Sequence, residues 1–480
     1  VYKQTLSRFL LMVFVSLAVG CAASFPEVEN DFEQNWQPTT YQSEVYLIPS
    51  APESLARRID LVRKAQQSID MTYFSWDKDL VGLKLLNEIK HAADRGVKVR
   101  LTLDDLLVFN EKWLAELNHH HNIEIRLFNA FNSRKTGWLG RAVDFVGHRD
   151  TLDHRLHEKY FNVDQQWMIL GGRNIGNAYF GYSQVGNFFD MDVLFRGEVI
   201  EPFSNNYHEL WDSDLVVEAT EKINVEASRT YPNFYKALAL SVDQDSSLDA
   251  HIENTVASLG RIDFLAASVM PVFDSREKIE DLQPYFRARA ENVVNDRLDN
   301  TKHVVISSPY IIPVEGKLSF IDKLREHDVE VELFTNSSSS NDSGFVPAIY
   351  QTSRDLMLNA DVKLFEYKDK AKNDDHYFHV DTYYHNKTVI IDSQMTYIGS
   401  SNFDPRSDFL NIEFGLFVDS TDFAEQVKHY LTRQQSDLFW QVSEMKVIIR
   451  FGSRAMKSPL IIQTMAEHTV LLIGCLGKWV

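Results

Sequence analysis

The chain has 480 residues, 44% hydrophobic and 24% charged, which is globular composition with length for a large core or two domains. A formal net charge of −19 argues against a nucleic-acid-binding surface, which needs basic excess to neutralise phosphates, and offers no attraction to an anionic bilayer. Two cysteines, Cys21 and Cys475, exclude a disulfide framework and a cysteine-based zinc site.

In chain order, Lys3 and Arg8 precede an apolar run, Phe9 to Gly20, too short for a transmembrane helix. Small residues then lead into Cys21. This pattern resembles a bacterial lipoprotein signal over residues 1–21, with Cys21 lipidated and the mature protein membrane-associated and facing the periplasm. An uncleaved signal anchor and a secretory signal with an incidental cysteine are the alternatives. Residues 22–44 are polar, lack a period and read as a tether.

Structure is expected from residue 45. Leu55, Ile59 and Val62 share one helical face, and Ser68 to Trp76 reads as a strand. A helix follows, with Asp79 as N-cap and Gly96 just past its end. Val97 to Leu103 and Ile123 to Phe128 alternate like strands. Strand, helix, strand in this order argues for an α/β domain.

The second half repeats these events. His303 to Ile312 takes the place of Ser68 to Trp76, while Val329 to Phe334 and Val362 to Tyr367 match the next two strands. Each half then carries H-x-K-x4-D: His157, Lys159 and Asp164, then His385, Lys387 and Asp392. Each motif is followed by a glycine pair or Gly-Ser and an asparagine, Asn174 and Asn402. The chain is therefore an internal duplication of a whole domain, with units at about 45–225 and 250–440. Residues 213–250 link them and look mainly helical, 226–249 being the connector proper, and 441–480 form a C-terminal tail.

Lysine and aspartate are poor core residues, so a packing role does not account for the repeat. In a strand, His and Lys at i and i+2 point to one face, so each motif presents an imidazole and an ammonium together. Joined across a pseudo-two-fold axis, the motifs give two His, two Lys and two Asn. Two cations and two amides suit the oxygens of a phosphate diester. One imidazole would attack phosphorus, while the other moves protons for the leaving and incoming alcohols. Each His also needs an acceptor on its second nitrogen. Asp192 and Glu413 follow the two asparagines at similar places and are the candidates. Asp164 and Asp392 are grouped with the catalytic set, more as braces than as chemistry, pairing with neighbouring basic groups.

These motifs resemble the HKD signature of the phospholipase D superfamily. The stretches LHEKYFNVDQQWMILGGRNIGNAYFG and HNKTVIIDSQMTYIGSSNFDPRS are most similar to the bacterial cardiolipin synthases of the C type. The resemblance covers about residues 45–435. It implies two duplicated α/β domains related by a pseudo-two-fold axis, with one shared active site at their interface. It also implies metal-independent phosphatidyl transfer without a cofactor, from membrane phospholipid substrates, through a phosphatidyl-histidine on His157 with His385 as acid and base. Hydrolysis by water is the rival outcome, and a nuclease the next.

Other features stay open. His119–His121 reads as a surface turn rather than a metal site. Gly137 to Asp150 is amphipathic, with Trp138, Leu139, Val143 and Phe145; it either touches lipid or packs back on its own domain. Arg155, Arg173 and Arg406 flank the motifs and are candidates for a second phosphate or a headgroup, while Tyr73, Tyr310 and Phe403 read as core.

Overall fold

Alternating β-branched runs become the strands that carry the site. A computed structural model describes residues 25–29, 31–133, 137–312, 319–341, 346–368 and 370–442. The signal expected over 1–21 with Cys21, and nearly all of the 441–480 tail with Cys475, lie outside the described residues.

The first half contains β1 (Tyr41–Leu47), β2 (Ser68–Tyr73), β3 (Lys98–Asp104), β4 (Ile123–Phe128), β5 (Arg155–Leu156), β6 (Tyr160–Val163), β7 (Trp167–Gly171), β8 (Asn187–Phe189), β9 (Asp192–Gly197) and β10 (Val216–Glu218). The second contains β11 (Leu265–Phe273), β12 (His303–Ser307), β13 (Glu330–Asn336), β14 (Lys363–Tyr367), β15 (Thr382–Tyr384), β16 (Thr388–Ile391), β17 (Met395–Gly399), β18 (Asn411–Ile412), β19 (Phe414–Asp419) and β20 (Phe439–Val442).

Sixteen of these form one sheet in the order β10-β4-β3-β2-β6-β7-β9-β1-β11-β19-β17-β16-β12-β13-β14-β20. Outward from the β1–β11 seam, the two halves list corresponding strands, which is the pseudo-two-fold duplication expected. At the seam, Tyr41 to Val45 pair antiparallel with Val269 to Leu265. In each half three strands run parallel, β2-β3-β4 and β12-β13-β14, joined by helices that cover the sheet. The helix Leu80–Asp94 starts where expected, with the Asp79 carboxylate accepting from Gly82 N at 3.0 Å.

Each half has its own apolar core, built on residues such as Leu55, Leu86 and Leu101, or Val293, Ile306 and Leu333. A third core crosses the seam, joining Val45, Val193 and Phe203 to Phe414, Leu416 and Phe423. That shared burial makes the halves one body.

The motif aspartates serve the hairpins. Asp164 with Gln165, and Asp392 with Ser393, have positive φ, and the backbone closes as Gln166 N to Val163 O and Gln394 N to Ile391 O. These are type I′ turns, where aspartate tolerates the left-handed conformation. Asp164 accepts backbone N–H bonds from Gln66, Gln67 and Ser68 at 2.7–3.2 Å, and Asp392 accepts from Lys302 and His303 at 2.9 Å. The catalytic grouping of Asp164 and Asp392 is thus corrected. They brace, but through amides that enter β2 and β12 rather than through basic side chains.

The segment 22–44 also departs from a free tether. Strand β1 begins at Tyr41, Phe25 stacks on Phe409 at 4.4 Å, and Glu33 bonds Arg289 at 2.9 Å. Its few aromatic residues find partners on the second half, which a polar average conceals. The 226–249 connector is helical over Pro232–Gln244, and the next helix, Ser246–Ala257, ties to the first half through Lys84 with Asp249 at 2.6 Å.

Replacing Asp164 by Ala is expected to cost about 1–3 kcal/mol in urea unfolding, because the N–H groups of Gln66, Gln67 and Ser68 lose a charged acceptor. Turnover by the folded fraction should stay within a few-fold of the parent. A loss of turnover without loss of stability would restore a chemical role.

Candidate active site

The site is assembled by two short parallel ladders that cross between the halves. Strand β5 pairs with β18, Leu156 opposite Ile412, and His157 N donates to Ile412 O at 3.0 Å. Strand β8 pairs with β15, Phe189 opposite Tyr384, and His385 N donates to Phe189 O at 2.9 Å. The residue after Ile412 is Glu413, and the residue after Phe189 is Asp190. Each imidazole therefore meets a carboxylate from the opposite half. His157 Nδ1 lies 3.0 Å from both Glu413 oxygens, and His385 Nδ1 lies 2.7 Å from Asp190 Oδ2. Facing a carboxylate, Nδ1 of each ring carries a proton, so Nε2 is the nitrogen left to attack or to exchange a proton.

The lysines fold back onto their own motifs. Lys159 Nζ donates to His157 O at 2.6 Å, and Lys387 Nζ to His385 O at 2.7 Å. Lys387 Nζ is also 3.3 Å from the His385 ring nitrogens. Both lysines are buried, as are Glu413 and Asp190. Aromatic rings wall the imidazoles: Phe74 beside His157 at 5.7 Å, Phe188 and Tyr179 beside His385 at 5.3 and 5.8 Å.

Burial sets the charge states. It drives His157 down to about 4 against the pull of Glu413, with Lys159 and Lys387 adding to the fall. Burial likewise brings Lys159 down to about 7, opposed by Glu413 and reinforced by Lys387. Burial would raise Glu413, but His157, Lys159 and the Ser400 hydroxyl hold it at about 2. Asp190 is also held low: burial opposes, and His385, Lys387 and Arg173 prevail. At neutral pH the site holds two carboxylates beside a neutral His157.

Asp192 was expected to orient a histidine, and the structure gives that place to Asp190. The sheet register shows why: Gly171 faces Asp192 just as Gly399 faces Gly415, so Glu413 and Asp190 each lie two residues earlier. Asp192 instead binds Arg58 at 3.0 Å, Arg173 at 3.3 Å and Ser54 at 2.5 Å in a buried cluster. Lining up the halves from the strand backwards, rather than from the asparagines forwards, would have found Asp190. Gly172 clears its space, since a Cβ there would sit 2.4 Å from Asp190 Oδ2.

Glu413 is held by Ser400 Oγ at 2.5 Å, Ser407 Oγ at 2.9 Å and Asn411 Nδ2 at 3.3 Å. Its backbone N donates to Asp274, which pairs with the buried Lys278. No residue-type pattern announces these partners. The asparagines differ. Asn174 accepts from Ser75 N at 3.2 Å and donates to Tyr179 Oη at 3.1 Å, whereas Asn402 Oδ1 is buried without a partner among the described residues.

The flanking arginines are committed inward rather than to a second phosphate. Arg155 pairs with Asp104 at 3.1 Å, Arg173 with Asp192, and Arg406 with Asp153 at 2.9 Å. In the histidine run, His120 stacks on His121 at 4.7 Å and meets Asp94 at 3.2 Å.

Residues 59–211 and 294–434, more than half of the chain, match the family described as "Cardiolipin synthase, PLD-like domain". The chain belongs to the phospholipase D superfamily. One relative is cardiolipin synthase C of Escherichia coli, 28% identical over 84% of this chain and 86% of that protein. Another is cardiolipin synthase 1 of Staphylococcus epidermidis, 23% identical over 81% and 67%. A solved phosphatidylserine synthase of Haemophilus influenzae is similar in fold, with a TM-score of 0.58 at 18% identity over 83% of this chain and 87% of that one.

Two neighbouring substitutions separate the roles of Asp190 and Asp192. Asp190→Asn is expected to lower kcat about 100-fold or more, since His385 loses the acceptor that fixes its tautomer. Asp192→Asn should instead cost about 3–5 kcal/mol of stability by stranding buried arginines. Turnover of a chromogenic phosphodiester and thermal unfolding, measured on both, would show the exchange; equal kcat losses would refute it.

Proposed function

We propose that this protein is a phosphatidyltransferase that makes cardiolipin from phosphatidylglycerol and a phospholipid donor. The observation that carries this reading is the crossed pair of carboxylate-held imidazoles, each with a lysine two residues on. His157, neutral down to about pH 4, attacks the donor phosphorus through Nε2. His385, entering the step as the imidazolium held by Asp190, gives its Nε2 proton to the departing glycerol or ethanolamine oxygen, leaving a phosphatidyl group on His157. It then takes the proton from a phosphatidylglycerol hydroxyl, whose oxygen displaces His157 and completes cardiolipin. Lys159 and Lys387, with the side-chain N–H of Asn402, hold the non-bridging oxygens while charge builds.

Two further observations support a lipid substrate. The likeness to cardiolipin synthase C runs through most of both chains. An apolar cavity walled by Phe286, Ile311, Phe320 and Phe403 opens beside Asn402, where an acyl chain has room next to the phosphate. The substrates are membrane phospholipids, and lipidation of Cys21 would hold the enzyme at the periplasmic face. Among the described residues no helix is long and apolar enough to cross a membrane.

Purified protein is expected to convert phosphatidylglycerol, with or without phosphatidylethanolamine, to cardiolipin, identified by mass spectrometry. Phosphatidic acid as the sole product would replace this reading with hydrolysis. The pH profile of kcat/KM should fall on both sides. Below about 4 His157 gains a proton and loses its lone pair, and above about 7 Lys159 loses its positive charge. A flat profile from pH 5 to 9 would contradict the role given to Lys159.

A further inference from the structure

One helix of the first half is built inside out. In Trp138–Gly147 the charged residues Arg141 and Asp144 are buried, while Leu139, Val143 and Val146 are 55%, 74% and 73% exposed. Those three recur at i, i+4 and i+7, so they share one face. Water favours the opposite arrangement, with charges out and aliphatic groups in.

The inward charges show that the orientation is held rather than accidental. Arg141 donates to Leu106 O at 3.1 Å and to Asp105 Oδ2 at 3.1 Å. Its guanidinium lies over the rings of Phe109 and Phe131 at 4.4 and 4.2 Å. Asp144 accepts from the backbone of Asn132 and Ser133 at 2.6 and 3.2 Å. The loop so gripped exposes Leu106, Leu107 and Phe109 next to the helix. Six of the large exposed apolar side chains are therefore gathered on two stitched elements.

This patch is attached to the active site. Asp104, beside Asp105, pairs with Arg155 and accepts from Leu156 N at 2.8 Å, directly before His157. Asp153, just beyond the helix, pairs with Arg406 of the second half at 2.9 Å.

We propose that the outward face of the Trp138–Gly147 helix, with Leu106, Leu107 and Phe109, docks into the headgroup–acyl boundary of a phospholipid bilayer and brings the mouth of the site to its substrate. The choice of a bilayer as occupant rests on the reading above, in which the substrate lies in one. A helix lying in that boundary buries its aliphatic face while the fold behind it stays in water. The contact supplies what the net charge of −19 does not, since it needs no electrostatic attraction.

The test uses the full chain with vesicles of phosphatidylethanolamine and phosphatidylglycerol. An environment-sensitive fluorophore is placed at Val143→Cys and, as reference for background labelling, at Leu240→Cys, exposed on the connector helix Pro232–Gln244. A quencher on the lipid acyl chains should quench the label at 143 several-fold more than the label at 240. The combined Leu139→Ser, Val143→Ser and Val146→Ser variant should lower the ratio of turnover on vesicles to turnover on dissolved short-chain lipid about tenfold, as lost apolar insertion requires. Equal quenching at the two positions overturns the proposal. So does a concentration-dependent dimer that the triple variant abolishes, which would give the face to a second copy. Quenching needs no turnover, so it stands apart from the synthase chemistry: insertion without cardiolipin would sink the function and keep the docking surface.

Discussion

Four charged side chains buried within one small volume constrain everything else in this fold. Glu413, Asp190, Lys159 and Lys387 lie out of water, and each is tolerable only because an oppositely disposed partner is held at hydrogen-bond distance or nearby. The partners of the two imidazoles come from the other half. Separating the halves would strand a buried carboxylate and an imidazole on each side. The β1–β11 seam and the core that crosses it keep those partners in place.

Much of this was legible in the sequence, for identifiable reasons. The His and Lys of each motif stand out because their chemistry has no place in a core, and the duplication stands out because strand order repeats with it. Asp190 was missed because the stretch from Asn174 to the carboxylate is longer than its counterpart from Asn402, so counting from the asparagines does not choose between the neighbouring Asp190 and Asp192. For Asp164 and Asp392, expected as braces, the partners were not legible: they are backbone amides rather than basic groups. Aspartate accepts protons and also accepts a left-handed turn, and the composition of a motif does not say which property is in use. The segment before β1 looked free because Phe25, Phe32 and Trp36 are diluted among polar residues, while their partners lie far along the chain.

Periodicity has a related limit. It reveals that a helix has two faces but not which one the fold turns inward. For Trp138–Gly147 the decision rests on buried contacts of Arg141 and Asp144 with a loop more than twenty residues earlier and with the strand-end segment at Phe131–Ser133. Those contacts reverse the usual sense of an amphipathic pattern.

The joining of both halves in one polypeptide has a consequence for symmetry. In a dimer of identical halves, each site element would appear twice, and any change would be copied across the axis. Here the copies are free to differ, and they do. Glutamate holds one imidazole and aspartate the other; two serines and an asparagine surround Glu413, while Arg173 and Lys387 act on Asp190; one asparagine amide is tied to a tyrosine, and the oxygen of the other has no partner among the described residues. A single chain can thus give two histidines of common descent unequal surroundings, which is what a reaction needing one nucleophile and one proton carrier demands.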